Sequence, residues 1–252
     1  MPHRTIAPHA TYQNLKVSFN SADAEPVHLQ KETLNAGVRI RYKNMGVSFS
    51  VPVHELNKSE FGESTSYGFG FQLYPSRFFL QGTMRYTEGF DDLNVLSSNR
   101  DLVFRADSRF LFATLVSNYV VNHKKYSLKA GLKMINIQKK SAGSFIISLP
   151  LTFQDFANDS TLAPVVGQPN FGLESYQSIR VGIGGGYAYT LVKGNWSGTL
   201  FASAGPEFRR IKTTQRSISE SKNVYLFNPR IRVVSSVIYN RLDFFYGLVA
   251  QF

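Results

Sequence analysis

Bulky and small residues alternate along this chain with a period of two, and that period decides what it can fold into. Tyr67, Phe69, Phe71 and Leu73 are interleaved with Gly68, Gly70, Gln72 and Tyr74. At the C-terminal end, Leu242, Phe244, Tyr246, Leu248, Ala250 and Phe252 alternate with Arg241, Asp243, Phe245, Gly247, Val249 and Gln251. Successive side chains of a β-strand point to opposite faces, so each set occupies one face. Helical spacing of apolar residues is nowhere sustained. The apolar set is bulky and aromatic, whereas the other set is small, polar or charged, with glycine and arginine prominent. A water-soluble sandwich would instead hide its bulky face and present charges outward. The pattern therefore fits a barrel whose outside meets lipid and whose inside is wet or ion-paired.

The same reading extends through the sequence. Leu34, Ala36, Val38, Ile40 and Tyr42 share a face opposite Asn35, Gly37, Arg39, Arg41 and Lys43. Phe78, Leu80, Gly82, Met84 and Tyr86 are expected outward, with Gln81, Thr83 and Arg85 inward. In the next strand, Phe110, Phe112, Thr114 and Val116 are expected outward and Arg105, Asp107 and Arg109 inward. Tyr126, Leu128, Ala130, Leu132 and Met134 read as a strand opposite Lys129, Gly131 and Lys133. Ile179, Val181, Ile183, Tyr187, Tyr189 and Leu191 oppose Arg180, Gly182, Gly184 and Gly186; Phe227, Ile231 and Val233 oppose Asn228, Arg230 and Arg232. Polar connections are expected at Thr87 to Asp101 and Asp155 to Ser175. The expected fold is all-β: a single up-and-down antiparallel transmembrane β-barrel of about twelve strands, with ten or fourteen as alternatives. It would occupy residues 1–252, with residues 1–12 as a flexible N-terminal extension.

One conflict follows from this strand list. Short turns and long loops should lie at opposite ends of a membrane barrel. The turns at Asn44, Pro75 and His123 share one end. If both strands around Lys139 to Gly143 span, the turns at Gly194 and Asn240 fall at the other end.

Composition supports the class. No apolar run approaches the roughly 20 residues of a spanning helix. Mean hydropathy is -0.16, as expected when every second strand residue is polar. Tyrosine and tryptophan recur at strand ends: Tyr42, Tyr74, Tyr86, Tyr119, Tyr126, Trp196, Tyr225 and Tyr239. Cysteine is absent, which removes disulfide, thiolate-metal and cysteine-nucleophile chemistry. The net charge of +11 is spread singly along strands, with only the dipeptides Lys124-Lys125, Lys139-Lys140 and Arg209-Arg210. Nucleic acid is therefore not an expected partner.

The search for chemistry yields one constellation. The histidines, His3, His9, His28, His54 and His123, form no metal-binding spacing, so no metal is expected, and no cofactor either. Ser50 and His54 are of the same parity but two pleats apart, too far for a nucleophile and its base. Gly182 to Gly186 resembles a dinucleotide loop, but no helix follows it. By contrast, Arg39, Arg41, Arg85, Arg109, Arg180, Arg230 and Arg232 share inward parity, as do Lys129 and Lys133. Only a few acids, such as Asp107, Glu207 and Asp243, share it. Such an interior would attract anions or be neutralised by an internal plug.

The run from Leu34 to Ser50, the segment Gln138 to Phe145 and the strand Gly186 to Thr190 resemble an uncharacterised family of Bacteroidota outer-membrane proteins, catalogued as a domain of unknown function. The likeness covers roughly residues 30 to 250, and Lys139 to Ser144 is its most specific piece. It implies an outer-membrane β-barrel and a bacterial outer-membrane location; it implies no reaction and no functional residue. Set against that family, the chain is expected to lack a signal peptide and to have a shorter C-terminus. The first expected function is a structural, pore or anionic solute- or lipid-binding role. Its partners would be membrane lipid, an anionic small molecule or lipid headgroup, and the barrel-assembly machinery during insertion. A membrane-embedded lipid-modifying enzyme and a soluble barrel binding an apolar ligand are the alternatives. The soluble reading requires an inaccessible Phe69 and an accessible Arg180.

Overall fold

Every alternating segment but one forms a strand. The computed structural model describes residues 4–19, 27–55, 64–92, 103–133, 138–159, 173–215, 221–241 and 244–251. The strands are β1 (Arg4–Phe19), β2 (Val27–Tyr42), β3 (Met45–Glu55), β4 (Thr65–Leu73), β5 (Phe78–Asp92) and β6 (Val103–Val120). After a short helix α1 (Leu128–Lys133) come β7 (Ala142–Asn158), β8 (Leu173–Gly182), β9 (Gly184–Lys193), β10 (Trp196–Gln215), β11 (Ser221–Arg241) and β12 (Phe244–Gln251). All belong to one antiparallel sheet, each pairing with its chain neighbour. β8 and β9 are two halves of one passage, because both pair with β7 and with β10. The break at Ile183 lies between Pro150 of β7 and Pro206 of β10, which have no N–H to give the ladder. There the Ile183 N–H donates to the Pro206 carbonyl at 3.1 Å.

The exception is the segment Tyr126 to Met134, expected as a strand: Leu128–Lys133 forms α1, and Met134 lies outside the described residues. Ser127 starts the helix: its Oγ accepts from the Ala130 N–H at 3.3 Å, the usual N-cap arrangement. Gln138 then ties the segment down, donating to the Lys125 and Lys140 carbonyls at 2.8 and 3.0 Å. With α1 in place of a strand, the conflict over loops disappears. The connections at Asn44, Pro75, α1, Gly194 and residues 242–243 share the turn end, and those after β1, β3, β5, β7 and β10 share the loop end.

Three further differences concern strand ends. β1 begins at Arg4, so residues 4–12, expected as an extension, pair with residues 34–42 of β2. The connections expected from Thr87 and Asp155 start later, since β5 reaches Asp92 and β7 reaches Asn158. Above the short hairpin of β3 and β4, β2 pairs directly with β5 at Leu29–Asp92 and Gln30–Asp91. β1 and β12 both run from the turn end to the loop end, and no pairing joins them among the described residues. Leu242, Asp243 and Phe252, and the side-chain faces of β12, lie outside the described residues.

The two faces have different characters. Val38, Ile40, Phe49, Phe69, Ile147 and Val181 are exposed on the outer face. Phe69 is 43% exposed, and Arg180 of the inner face is half-buried with its Nε shielded. This is the reverse of what a soluble barrel with an apolar interior requires. On the inner face the apolar residues gather at the two ends. At the turn end Phe79, Val120, Ile146, Ala188, Phe201 and Val234, from six strands, pack around Tyr74, Tyr126 and Leu128. At the loop end Leu29, Phe90, Phe110 and Phe156 form a second cluster, flanked by Leu15, Val17, Phe112 and Tyr176.

Candidate functional site

Strand register builds the interior between these clusters. One inward row runs through Arg39, Ser48, Gly70, Thr83, Thr114, Thr152, Arg180 and Arg209. The next runs through Gly37, Ser50, Gly68, Arg85, Phe112, Gln154, Ser178 and Ile211. Small residues dominate beside each arginine, which leaves room for long side chains to lie across the face. Arg230 and Arg232 accordingly border a narrow gap floored by Gly184, Ser203 and Gly205.

Of the expected inward residues, Arg39, Arg41, Arg85, Arg180, Arg230 and Arg232 are on the inner face. Arg109 is not: it is exposed on the outer face, while Phe110 is buried on the inner one. The cause is a register break between Glu88 and Phe90, where Phe90 pairs with Arg105 and Glu88 with Arg109. Gly89, with φ of 80°, sits in that break, as the left-handed residue of a bulge does. A bulge reverses parity, so the alternation from Arg105 does not carry to Arg109. Lys129 and Lys133 are in α1 rather than on a strand, and the Lys133 side chain lies outside the described residues. A second register break, between Leu34 and Asn35, puts His54 opposite outward Leu34 while Ser50 lies opposite inward Gly37. Ser50 and His54 are thus on opposite faces.

The turn end is closed by α1. The Lys129 Nζ donates to Asn44 Oδ1 of the β2–β3 turn at 2.9 Å and lies 5.5 Å from the centre of the Tyr74 ring, within cation–π range. Helix and turn thereby connect across the end of the sheet. Burial pushes the Lys129 amine below its ordinary value. It pushes the Tyr74 phenol up to about 12, although Arg41 and Arg39 pull the other way. Tyr126 is also pushed up to about 12 by burial, with Thr190 pulling the other way. Its hydroxyl makes no hydrogen bond of good geometry among the described residues.

A cavity of about 610 Å³ lies at the loop end, bordered by β1, β5, β6, β7, β8 and β10. Arg85 and Arg209 line it together with Gln13, Gln154, Tyr176 and Thr213. Arg209 Nε donates to Ser178 Oγ at 3.0 Å, and its Nη2 donates to the Tyr176 hydroxyl. Glu207 faces inward as expected, 4.0 Å from Arg230. A smaller space of about 210 Å³ adjoins, bordered by His9, Ser48, Ser50, Thr83 and Arg85. No hydrogen bond joins His9 to either serine among the described residues, and no group of three or more His, Asp or Glu side chains could hold a metal ion there.

Residues 5–252 match the model of a family described as a domain of unknown function (DUF4421). The chain belongs to the DUF4421 family. No curated protein and no solved structure matches this DUF4421 chain.

Two interior residues of the DUF4421 chain escape sequence reasoning. Arg209 has the same parity as Glu207, two residues away, and that parity was the available signal. Its neighbour Arg210, on the outer face, makes the pair read as an exposed basic dipeptide. His9 faces inward over Gly37, but it lies in residues expected as an extension.

Proposed function

We propose that this DUF4421 protein is a membrane-spanning β-barrel, of the bacterial outer-membrane kind, that holds an anionic ligand inside. The observation that carries the reading is the cavity that Arg85 and Arg209 line, on an inner face where arginines outnumber acids. Buried cations attract an anion strongly because little water screens them. The membrane half of the proposal rests on the outer face. Its strands β1 to β11, from β4 of nine residues to β11 of twenty-one, match or exceed the roughly 9–11 residues that cross a bilayer, and eight residues of β12 are described. Aromatic pairs lie at the turn-end rim: Phe78–Tyr119, Phe145–Tyr187 and Trp196–Tyr239, with centroids 5.1, 5.0 and 4.8 Å apart. Phe208–Tyr225 lies towards the loop end. An apolar band between aromatic girdles is the lipid-facing signature of such barrels.

Binding is favoured over open conduction because α1 and the cluster around Tyr126 block the turn end. Two measurements test this. Electrophoresis without boiling, after membrane fractionation, should give a heat-modifiable band in the outer-membrane fraction; recovery of folded protein from the soluble fraction would overturn the membrane reading. In planar bilayers, conductance should stay near baseline; a large, stable open channel would overturn the closed-interior reading.

A further inference from the structure

We infer that the ligand is an anionic amphiphile, a single alkyl or acyl chain ending in one anionic headgroup. This rests on the barrel and anion-binding reading above. The cavity is divided by chemistry. Arg85 and Arg209 supply positive charge, while Leu15, Phe110, Phe112 and Ile211 supply apolar surface. The two kinds are adjacent: Arg85 pairs across strands with Phe112, and Ile211 follows Arg209 on the same face of β10. A bare anion would leave the apolar side chains against water. An uncharged hydrocarbon would bury guanidinium groups without compensation, which is costly. An amphiphile satisfies both surfaces.

The arginines are free to serve a headgroup. The partners of Arg209, the hydroxyls of Ser178 and Tyr176, are neutral, so they aim the guanidinium without cancelling its charge. Neither Arg85 nor Arg209 has an acidic partner among the described residues, and Glu207 is engaged by Arg230. The cavity also has a route for a chain to enter. Lys16 and Ser18, on the outer face of β1, border it as well as Leu15 and Val17 on the inner face. The space therefore reaches both faces of β1 at the loop end, where, among the described residues, β1 pairs with β2 alone.

The full chain, exchanged into amphipol, would be titrated by calorimetry with dodecyl phosphate, inorganic phosphate and dodecyl maltoside. Dodecyl phosphate should bind at one site, and each methylene removed from it should weaken binding about three- to fourfold. Arg85→Gln and Arg209→Gln should each weaken it about tenfold. Arg85→Gln breaks no hydrogen bond described above, so it keeps the test decisive if Arg209→Gln does not fold. Inorganic phosphate binding as tightly as dodecyl phosphate would overturn the amphiphile and leave the anion reading standing. Binding of neither would overturn both. Equal binding of dodecyl maltoside, unchanged by either substitution, would remove the arginines from the site and overturn both as well.

Discussion

Single glycines set how closely the strands approach at the break in the β8–β9 passage. A Cβ on Gly205 would fall 2.0 Å from the Ile183 carbonyl oxygen and 2.6 Å from Gly184 Cα, both backbone atoms that cannot swing aside. Gly205→Ala should therefore destabilise the fold by about 1–3 kcal/mol. Gly198→Ala, on the same strand with nothing within 4 Å of the added methyl, should be nearly neutral. The temperature at which the heat-modifiable band is lost compares the two; equal shifts would refute the close-approach argument. Arg109 and Arg85 make a second pair. Arg109→Gln, on the outer face, should leave binding of dodecyl phosphate unchanged, whereas a loss like that of Arg85→Gln would place both inside. These cases also mark what a sequence can reveal about one residue. Parity identifies the face of Arg39, Arg180 or Arg232, because no change of parity lies between each of them and the turn; even the break at Ile183 keeps the count. Parity fails at Arg109 because three residues of β6, 106–108, lie opposite the single Gly89 of β5, so the alternation is broken within β6 itself.

At the level of elements, α1 shows why alternation alone misreads a short segment. Tyr126, Leu128 and Ala130 are all buried, whereas the strand reading turned them outward, opposite an inward Lys129; they pack instead from a capped turn and a short helix. The Ser127 cap was the sequence signal; a six-residue helix is too short for apolar periodicity to reveal. The element predicts an alkaline limit. Unfolded tyrosine ionises near 10, whereas Tyr74 and Tyr126 in the folded end hold their protons up to about 12. Their contribution is fully present below pH 10 and is lost as pH rises from about 10 to 12. Absorbance at alkaline pH should find Tyr74 and Tyr126 among the late-titrating tyrosines, with conductance rising over the same range. Tyr126→Phe should be neutral or slightly stabilising at pH 7, because it removes a buried hydroxyl that lacks a good hydrogen bond. It should also remove one tyrosine from the late-titrating set. A marked loss of stability at pH 7 would mean that the hydroxyl is bonded after all.

For the whole molecule, the segregation of connections gives a topology that can be read from outside. The chain has no cysteine, so single cysteines introduced at exposed positions report their side without background. In intact cells or sealed vesicles, Asn44→Cys and Asn195→Cys should react with an impermeant maleimide from one side, and Asp159→Cys from the other. Labelling of Asn44→Cys and Asn195→Cys from opposite sides would restore a spanning segment where α1 lies. The overall strand order was legible because consecutive alternating segments pair with one another along nearly the entire sequence. The meeting of β2 with β5 was not, since it depends on contacts between residues far apart in the chain. That last contact has a consequence for folding. Three hairpins lie between Val27 and Asp92, and each can slip by two residues without exposing the wrong face. A slip in any one of them would carry Leu29 away from Asp92. Their pairing therefore acts as a proofreading step, completed only when all three registers are correct.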